Sequence, residues 1–289
     1  MAMEKQHSWG WQVVMDVFLG GIGAGLFLVS FIVEQLFGVT PLTTVGAIVG
    51  PVLVLLGIFF LLIEVGKPMN AVRAFLNAGT SWMSRGVILQ PILIAVALLY
   101  ALLPLGVPGI KTAAAGIVIG GIAAILAILV AVYHGFLFSQ ARGIALWNNP
   151  LLPMLYFVSA LAGGAGVLLL ITPLFNVAVI AGQLAVLVIV EIALVVLVLV
   201  SIWLMAAVRP SLSYRRSLRQ LMTPNFIGLT LVLGNAVPLV LLVVSLFIAG
   251  TGASVAVLSI TGALVLVGTY YLRHAVIRAG HHYSLQVSF

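Results

Sequence analysis

Apolar residues run along this chain in eight blocks, separated by shorter stretches that gather its charges, prolines and polar turns. The blocks are about 20–30 residues long and show no strict alternation, so each predicts a membrane-crossing helix rather than a barrel strand. In lipid a backbone must satisfy its own hydrogen bonds, and a helix does so within one segment. The predicted spans are 12–37, 42–65, 86–104, 112–138, 151–172, 175–208, 225–249 and 253–279. The fold class expected is an all-α integral membrane protein of eight transmembrane helices, one transmembrane domain over residues 1–289. The first block is too long for the core of a signal peptide and is read as the first span.

Composition supports this reading. Hydrophobic residues make up 64% of the chain and charged residues 6%, against about 25% charged in a soluble domain. So few charges cannot cover a water-facing surface. There is no cysteine, which removes disulfides, thiolate-bound zinc and cysteine-held iron–sulfur clusters from this chain.

The connections alternate in character. Those after spans two, four and six are longer and basic, and with eight spans they share a side, here side A, with both termini. Side A collects Lys5, Lys67, Arg73, Arg85, Arg142, Arg209, Arg215, Arg216, Arg219, Arg273 and Arg278, whereas side B has Lys111. The positive-inside rule makes side A cytoplasmic, in a cell inner membrane.

A weak repeat relates 12–140 to 151–280. Gly23-Ala24-Gly25 recurs as Gly164-Ala165-Gly166, Lys67-Pro68 as Arg209-Pro210, Gly86 as Gly228 and His134 as His274. The offset of about 140 residues predicts two four-helix halves in parallel, as in some transporters. Gly21 and Gly25, like Gly116 and Gly120, have the spacing that lets helix backbones approach, and packing suffices to explain them. Pro238 is expected to kink span seven, with Asn235 bonding freed backbone groups.

The five acidic residues are Glu4, Asp16, Glu34, Glu64 and Glu191. A carboxyl within a span is costly and marks a candidate site. Glu191 falls near the middle of span six, where a protonated acid bonded to a neighbouring helix competes evenly with a proton path. Glu34, near side B, reads first as an interfacial residue reaching water and second as part of that path. Asp16 and Glu64 lie at side A, level with Tyr133 and His134 in the last turns of span four. Arg142 follows in the next loop, with Lys67, Trp82 and Arg85 just outside. Proton donors and acceptors beside apolar helix faces suit a lipid-soluble quinone, whose ring wants an apolar slot and whose carbonyls want hydrogen bonds and a proton-exchanging group. A two-haem cytochrome is excluded by count, since His134 and His274 are the two histidines within spans; one haem between them is the rival.

These residues carry a family resemblance. The chain resembles the NrfD/PsrC family, membrane subunits of polysulfide-reductase-type and related molybdenum or iron–sulfur oxidoreductases. The likeness lies in Trp9-Gly10-Trp11 with Phe18-Leu19-Gly20-Gly21-Ile22-Gly23-Ala24-Gly25, in Glu64-Val65-Gly66-Lys67-Pro68 with Thr80-Ser81-Trp82-Met83-Ser84, in Tyr133-His134-Gly135-Phe136 through Ala141-Arg142-Gly143 and Trp147-Asn148-Asn149-Pro150-Leu151-Leu152-Pro153, and in Gly234 with Pro238-Leu239. It implies eight spans, no haem or iron–sulfur cluster in this chain, and quinol oxidation or quinone reduction near the membrane surface. The quinone is menaquinone or ubiquinone, and the expected partners are an iron–sulfur electron-transfer subunit, a molybdopterin catalytic subunit and membrane lipid, not nucleic acid. Tyr133 stands where the family has its tyrosine ending span four, and Glu64 where many members have an aspartate before Gly-Arg-Pro. His134 often faces a threonine in relatives, and Asp16 departs from the commonest apolar pattern.

The function expected is a quinone-reactive membrane anchor. Asp16, Glu64, Tyr133 and His134 are its catalytic candidates, Tyr133, His134 and Arg142 hold the quinone, Glu191 and Glu34 extend a proton path, and Lys67, Trp82 and Arg85 dock the partner. The alternatives are a secondary transporter or ion channel centred on Glu191, and a purely structural anchor.

Overall fold

The computed structural model describes residues 3–5, 9–65, 81–106, 114–141, 143–208, 211–249 and 252–283. Eight helices among them are long and apolar enough to cross a membrane. They are α1 (Trp11–Phe37), α2 (Pro41–Val65), α3 (Trp82–Gly106), α4 (Ala114–Ser139), α5 (Leu151–Ile171), α6 (Val177–Ala207), α8 (Pro224–Phe247) and α9 (Gly252–Arg278). A further short helix, α7 (Leu212–Leu221), lies between α6 and α8. Two three-residue strands, β1 (Met3–Lys5) and β2 (His281–Tyr283), pair antiparallel and bring the two ends of the described residues together.

Each predicted span is present, within about one turn at its ends. The largest difference is α3, which begins at Trp82 rather than at residue 86. Its first turn carries Trp82 and Arg85 and extends the helix beyond the apolar block, where an interfacial aromatic and a cation belong.

Several ends have a visible cause. The side chain of Asn176 accepts from the Ala178 N–H at the start of α6, and Ser211 accepts from the Tyr214 N–H at the start of α7. Thr223 does the same for Phe226, with Pro224 at the first helical position, where no N–H is needed. After α1, Gly38 takes φ of 83°, which favours glycine, and its N–H closes on the Glu34 carbonyl.

The kink expected in α8 takes the form of a π-helical stretch, Ile227–Ala236, just before Pro238. Asn235 bonds backbone there as expected: its amide nitrogen donates to the Thr230 carbonyl at 2.6 Å. Wider turns of this kind recur at functional sites.

α1 and α5 are the central helices. Their most apolar windows are 78% and 72% buried, against 28–44% for the other spans. α1 packs on α2, α4, α5 and α9, and α5 packs on α4, α6 and α9 as well. Glycine permits the central crossing. A methyl group at Gly25 would stand 2.0 Å from the Ala160 carbonyl oxygen, and one at Gly164 would stand 2.2 Å from the Leu26 nitrogen. The two Gly-Ala-Gly segments therefore meet at this crossing. Between membrane helices such close approach supplies van der Waals contact that the hydrophobic effect cannot.

Candidate functional site: a polar cluster between α1, α3 and α4

The site begins with Asp16, 1% exposed, five residues into α1. At 1.5 Å rise per residue it lies about 8 Å inside the helix start. His134 stands five residues before the end of α4, also 1% exposed, with its Nε2 3.8 Å from Asp16 Oδ2. That spacing is too long for a hydrogen bond and short enough for mutual attraction. Gly20, one turn above Asp16, makes the room: a methyl group there would lie 3.1 Å from His134 Cε1 and 3.7 Å from Gln90 Nε2. Gln90 of α3 is 2% exposed and faces the same space.

Tyr133 is buried beside His134, with ring centroids 4.6 Å apart. Its phenol lies on α3 at Gly86, where a methyl group would meet the ring at 2.2 Å. One turn nearer side A, Trp82 stacks on Phe136 at 4.6 Å and 12°, and Arg85 lays its guanidinium 4.4 Å over the Trp82 ring. Trp82 and Gly86 of α3 thus meet Phe136 and Tyr133 of α4 on successive turns.

Four buried polar atoms of this cluster make no well-formed hydrogen bond among the described residues, Asp16 Oδ1, Gln90 Nε2, and His134 Nδ1 and Nε2, though the Gln90 amide stands beside the Asp16 carboxyl and His134 beside the Val130 carbonyl. Buried polar groups are nearly always paired. Convergence of an acceptor, an amide donor and an imidazole in apolar surroundings is an arrangement suited to a small ligand bearing oxygen atoms.

The other candidates lie elsewhere. Glu64, part-buried at the end of α2, accepts the Gly10 N–H through Oε1 at 3.1 Å, which places a carboxylate at the N-terminus of α1 where the helix dipole favours it. Asp16 is six residues further on, about 9 Å deeper. Glu34 is 3% exposed and accepts from Tyr100 OH at 2.5 Å, so it is enclosed by the bundle rather than reaching water. Glu191 is fully buried in α6 with neither carboxyl oxygen partnered among the described residues. Lys67 and Arg142 lie outside the described residues.

Two residues were missed by the sequence reading. One is Gln90. The other is Arg273, counted above among the charges of side A. It is fully buried. From α9 its Nε donates to the Val17 carbonyl at 3.0 Å and its Nη1 to Ser159 Oγ at 2.9 Å, and the guanidinium lies 5.1 Å from the Tyr156 ring centre. α1 therefore carries Asp16 and Gly20 toward His134, and Val17 and Gly21 toward Arg273. The Gly20-Gly21 pair was the signal available in the sequence.

Fold and cluster define an eight-helix integral membrane protein with a buried acid–imidazole–amide site near one membrane face. The family described as Polysulphide reductase, NrfD matches residues 1–283, and the chain belongs to it. Protein NrfD of Escherichia coli (strain K12) is 28% identical over 186 residues, 56% of this chain and 58% of that protein. The C subunit of polysulfide reductase from Wolinella succinogenes is 27% identical over 187 residues, 58% of this chain and 59% of that protein. The matched stretch thus spans less than two thirds of either relative.

Proposed function

We propose that this chain is the quinone-reactive membrane subunit of an oxidoreductase complex. It exchanges electrons between the quinone pool and an iron–sulfur partner subunit, with coupled proton uptake or release. The observation that supports this most is the set of four buried atoms on Asp16, Gln90 and His134 that make no well-formed hydrogen bond among the described residues. A quinone fits that donor set, because its carbonyls accept hydrogen bonds while its ring and tail prefer apolar helix faces. When bound, it supplies reversible two-electron, two-proton chemistry. Gln90 and His134 hold a carbonyl, the ring of Tyr133 walls the slot, and Asp16 takes or gives a proton beside His134.

The family supports the rest of the reading. One relative is the C subunit of a polysulfide reductase, a name that places it in a larger enzyme. The partner here docks over the side-A surface next to the cluster, at Trp82 and Arg85, in an inner membrane with both termini cytoplasmic. A catalytic molybdopterin subunit completes the complex.

The test is purification of the native complex in mild detergent, with iron and molybdenum assays and quinol-driven reduction of its clusters. Copurifying iron–sulfur protein with inhibitor-sensitive reduction establishes the reading. A lone, metal-free polypeptide indifferent to quinol sinks it. The second reading is then a transporter, favoured by the two unpartnered oxygens of Glu191 in mid-membrane.

A further inference from the structure

α7 is unlike every other described helix. Its ten residues, Leu-Ser-Tyr-Arg-Arg-Ser-Leu-Arg-Gln-Leu, bury Tyr214, Ser217, Leu218 and Leu221 and expose Arg215, Arg216 and Arg219. It is tied down firmly. Tyr214 OH donates to the Met205 carbonyl in the last turn of α6 at 2.7 Å, and accepts from Asn149 Nδ2, just before α5, at 2.6 Å. These bonds fix α7 across the side-A ends of α5 and α6, at the level where a membrane presents its headgroups.

The surroundings are apolar as well as basic. Leu212 lies on the same exposed face as Arg216 and Arg219, at helical spacing, and is 74% exposed. Trp203, one turn before the end of α6, is 66% exposed, at the depth where tryptophan sits in the interfacial belt. A helix of this kind, apolar on the inside and cationic toward the headgroups, lies in the plane of a bilayer surface.

Among the described side chains no carboxylate makes an ion pair with the three arginines. Of the five acidic residues, Asp16, Glu34 and Glu191 are buried within spans, Glu64 is engaged at the start of α1, and Glu4 is the one other. Anionic headgroups supply complementary charge at this level of a membrane.

We infer that α7 is a binding site for the headgroups of anionic phospholipids, with Arg215, Arg216 and Arg219 pairing with phosphate oxygens and Leu212 resting among the upper acyl carbons. Guanidinium and phosphate match in charge and in hydrogen-bond geometry. The site pins the second half of the bundle to its leaflet and does not depend on the quinone reading.

The test compares the full chain with R215Q/R216Q/R219Q and R215K/R216K/R219K. Phosphatidylglycerol is titrated in detergent against phosphatidylcholine, and bound lipid is read by native mass spectrometry. The wild type is expected to prefer phosphatidylglycerol. The glutamine variant is expected to lose about fivefold in that preference per charge removed, with the lysine variant retaining most of it. A single R219Q change, at an exposed position, gives the same reading should the triple variant fold poorly. Equal binding of the two lipids by the wild type, or undiminished phosphatidylglycerol binding by the glutamine variants, overturns the inference. So does loss of a copurifying protein with lipid binding unchanged, which would make this face a protein dock.

Discussion

The guanidinium of Arg273 lies against the α-carbon of Gly21, so closely that a methyl group there would stand 2.5 Å from Nη2. The Nε of the same arginine is bonded to the Val17 carbonyl and cannot retreat without breaking that bond. Gly21→Ala is therefore expected to destabilise the bundle by about 1–3 kcal/mol, as overpacked sites do. Gly121→Ala in α4 is the control, because a methyl group at Gly121 meets nothing within 4 Å. It should leave stability unchanged or raise it by up to about 1 kcal/mol through helix propensity. Thermal unfolding in one detergent separates the two. Equal effects would mean that Gly21 is not held by Arg273.

Arg273 is a charge enclosed by the bundle with no carboxylate partner among the described residues. Enclosing an unpaired charge costs several kcal/mol. Its acceptors do not depend on it: the Val17 carbonyl belongs to the backbone ladder of α1, and Ser159 Oγ itself donates to the Tyr156 carbonyl. Arg273→Met is thus expected to fold with stability within about 2 kcal/mol of the wild type, or above it. Quinol-driven cluster reduction should nevertheless fall at least about tenfold, because this charge meets α1 at Val17 and Gly21, the immediate neighbours of Asp16 and Gly20, which face His134. Loss of stability with normal turnover per folded complex would make Arg273 purely structural.

At the cluster itself, Asp16→Asn keeps the shape of the side chain and removes its ability to hold a proton in exchange. Turnover with quinol is expected to fall by about 10²–10⁴, the usual worth of a positioned acid or base. Assembly with the partner should be unchanged. Tyr133→Phe should act more mildly, since the ring that walls the slot is retained. Normal turnover in Asp16→Asn would move the proton-exchanging role away from α1.

The helices were readable from sequence because in lipid an apolar run of sufficient length has one stable answer. The ends were readable too, except where an interfacial turn continues a helix past its apolar block, as Trp82–Arg85 does for α3. Asp16 and His134 could be singled out because polar residues in a span are costly and few. Their partners could not, since Gln90 and Arg273 come from α3 and α9 and contact between helices is not written in any one segment. Arg273, five residues before the end of a span with a basic end, reads as one more surface cation. Glu64 reads as part of the cluster by depth alone, and the structure instead gives it the Gly10 N–H. A helix cap made by a different helix leaves no local signature.

Near the opposite membrane face, Tyr100 donates to Glu34 in an enclosed setting edged by Phe27 and Phe31. A hydrogen bond to a carboxyl group there should exceed the modest average between membrane helices. A double-mutant cycle of Glu34→Gln and Tyr100→Phe is expected to give a coupling of about 1–2 kcal/mol in thermal unfolding. If these residues also extend a proton path, either single change should lower proton movement per electron in vesicles while leaving cluster reduction intact. Unchanged proton movement would confine the pair to a structural role.

Among the described residues, Tyr214 gives a pH dependence outside the spans. Burial pushes its phenol above the ordinary value, with the Asn149 amide pulling weakly the other way. The neutral form is the one that donates to the Met205 carbonyl. In the unfolded protein the phenol ionises near pH 10, and in the folded protein it does so later. The unfolded state therefore gives up the proton first, and the contribution of Tyr214 is complete below about pH 10 and declines as pH rises beyond it. Tyr214→Phe removes both bonds and leaves the Met205 carbonyl and the Asn149 amide unpaired, which should cost about 1–3 kcal/mol at neutral pH. The difference in stability between wild type and Tyr214→Phe should stay constant from about pH 7 to about pH 9 and shrink toward about pH 11. Unfolding midpoints of the two proteins across that range supply the check. A difference that does not shrink would mean that folding leaves the ionisation of the phenol unchanged, and that the bonds of Tyr214 do not depend on its neutral form.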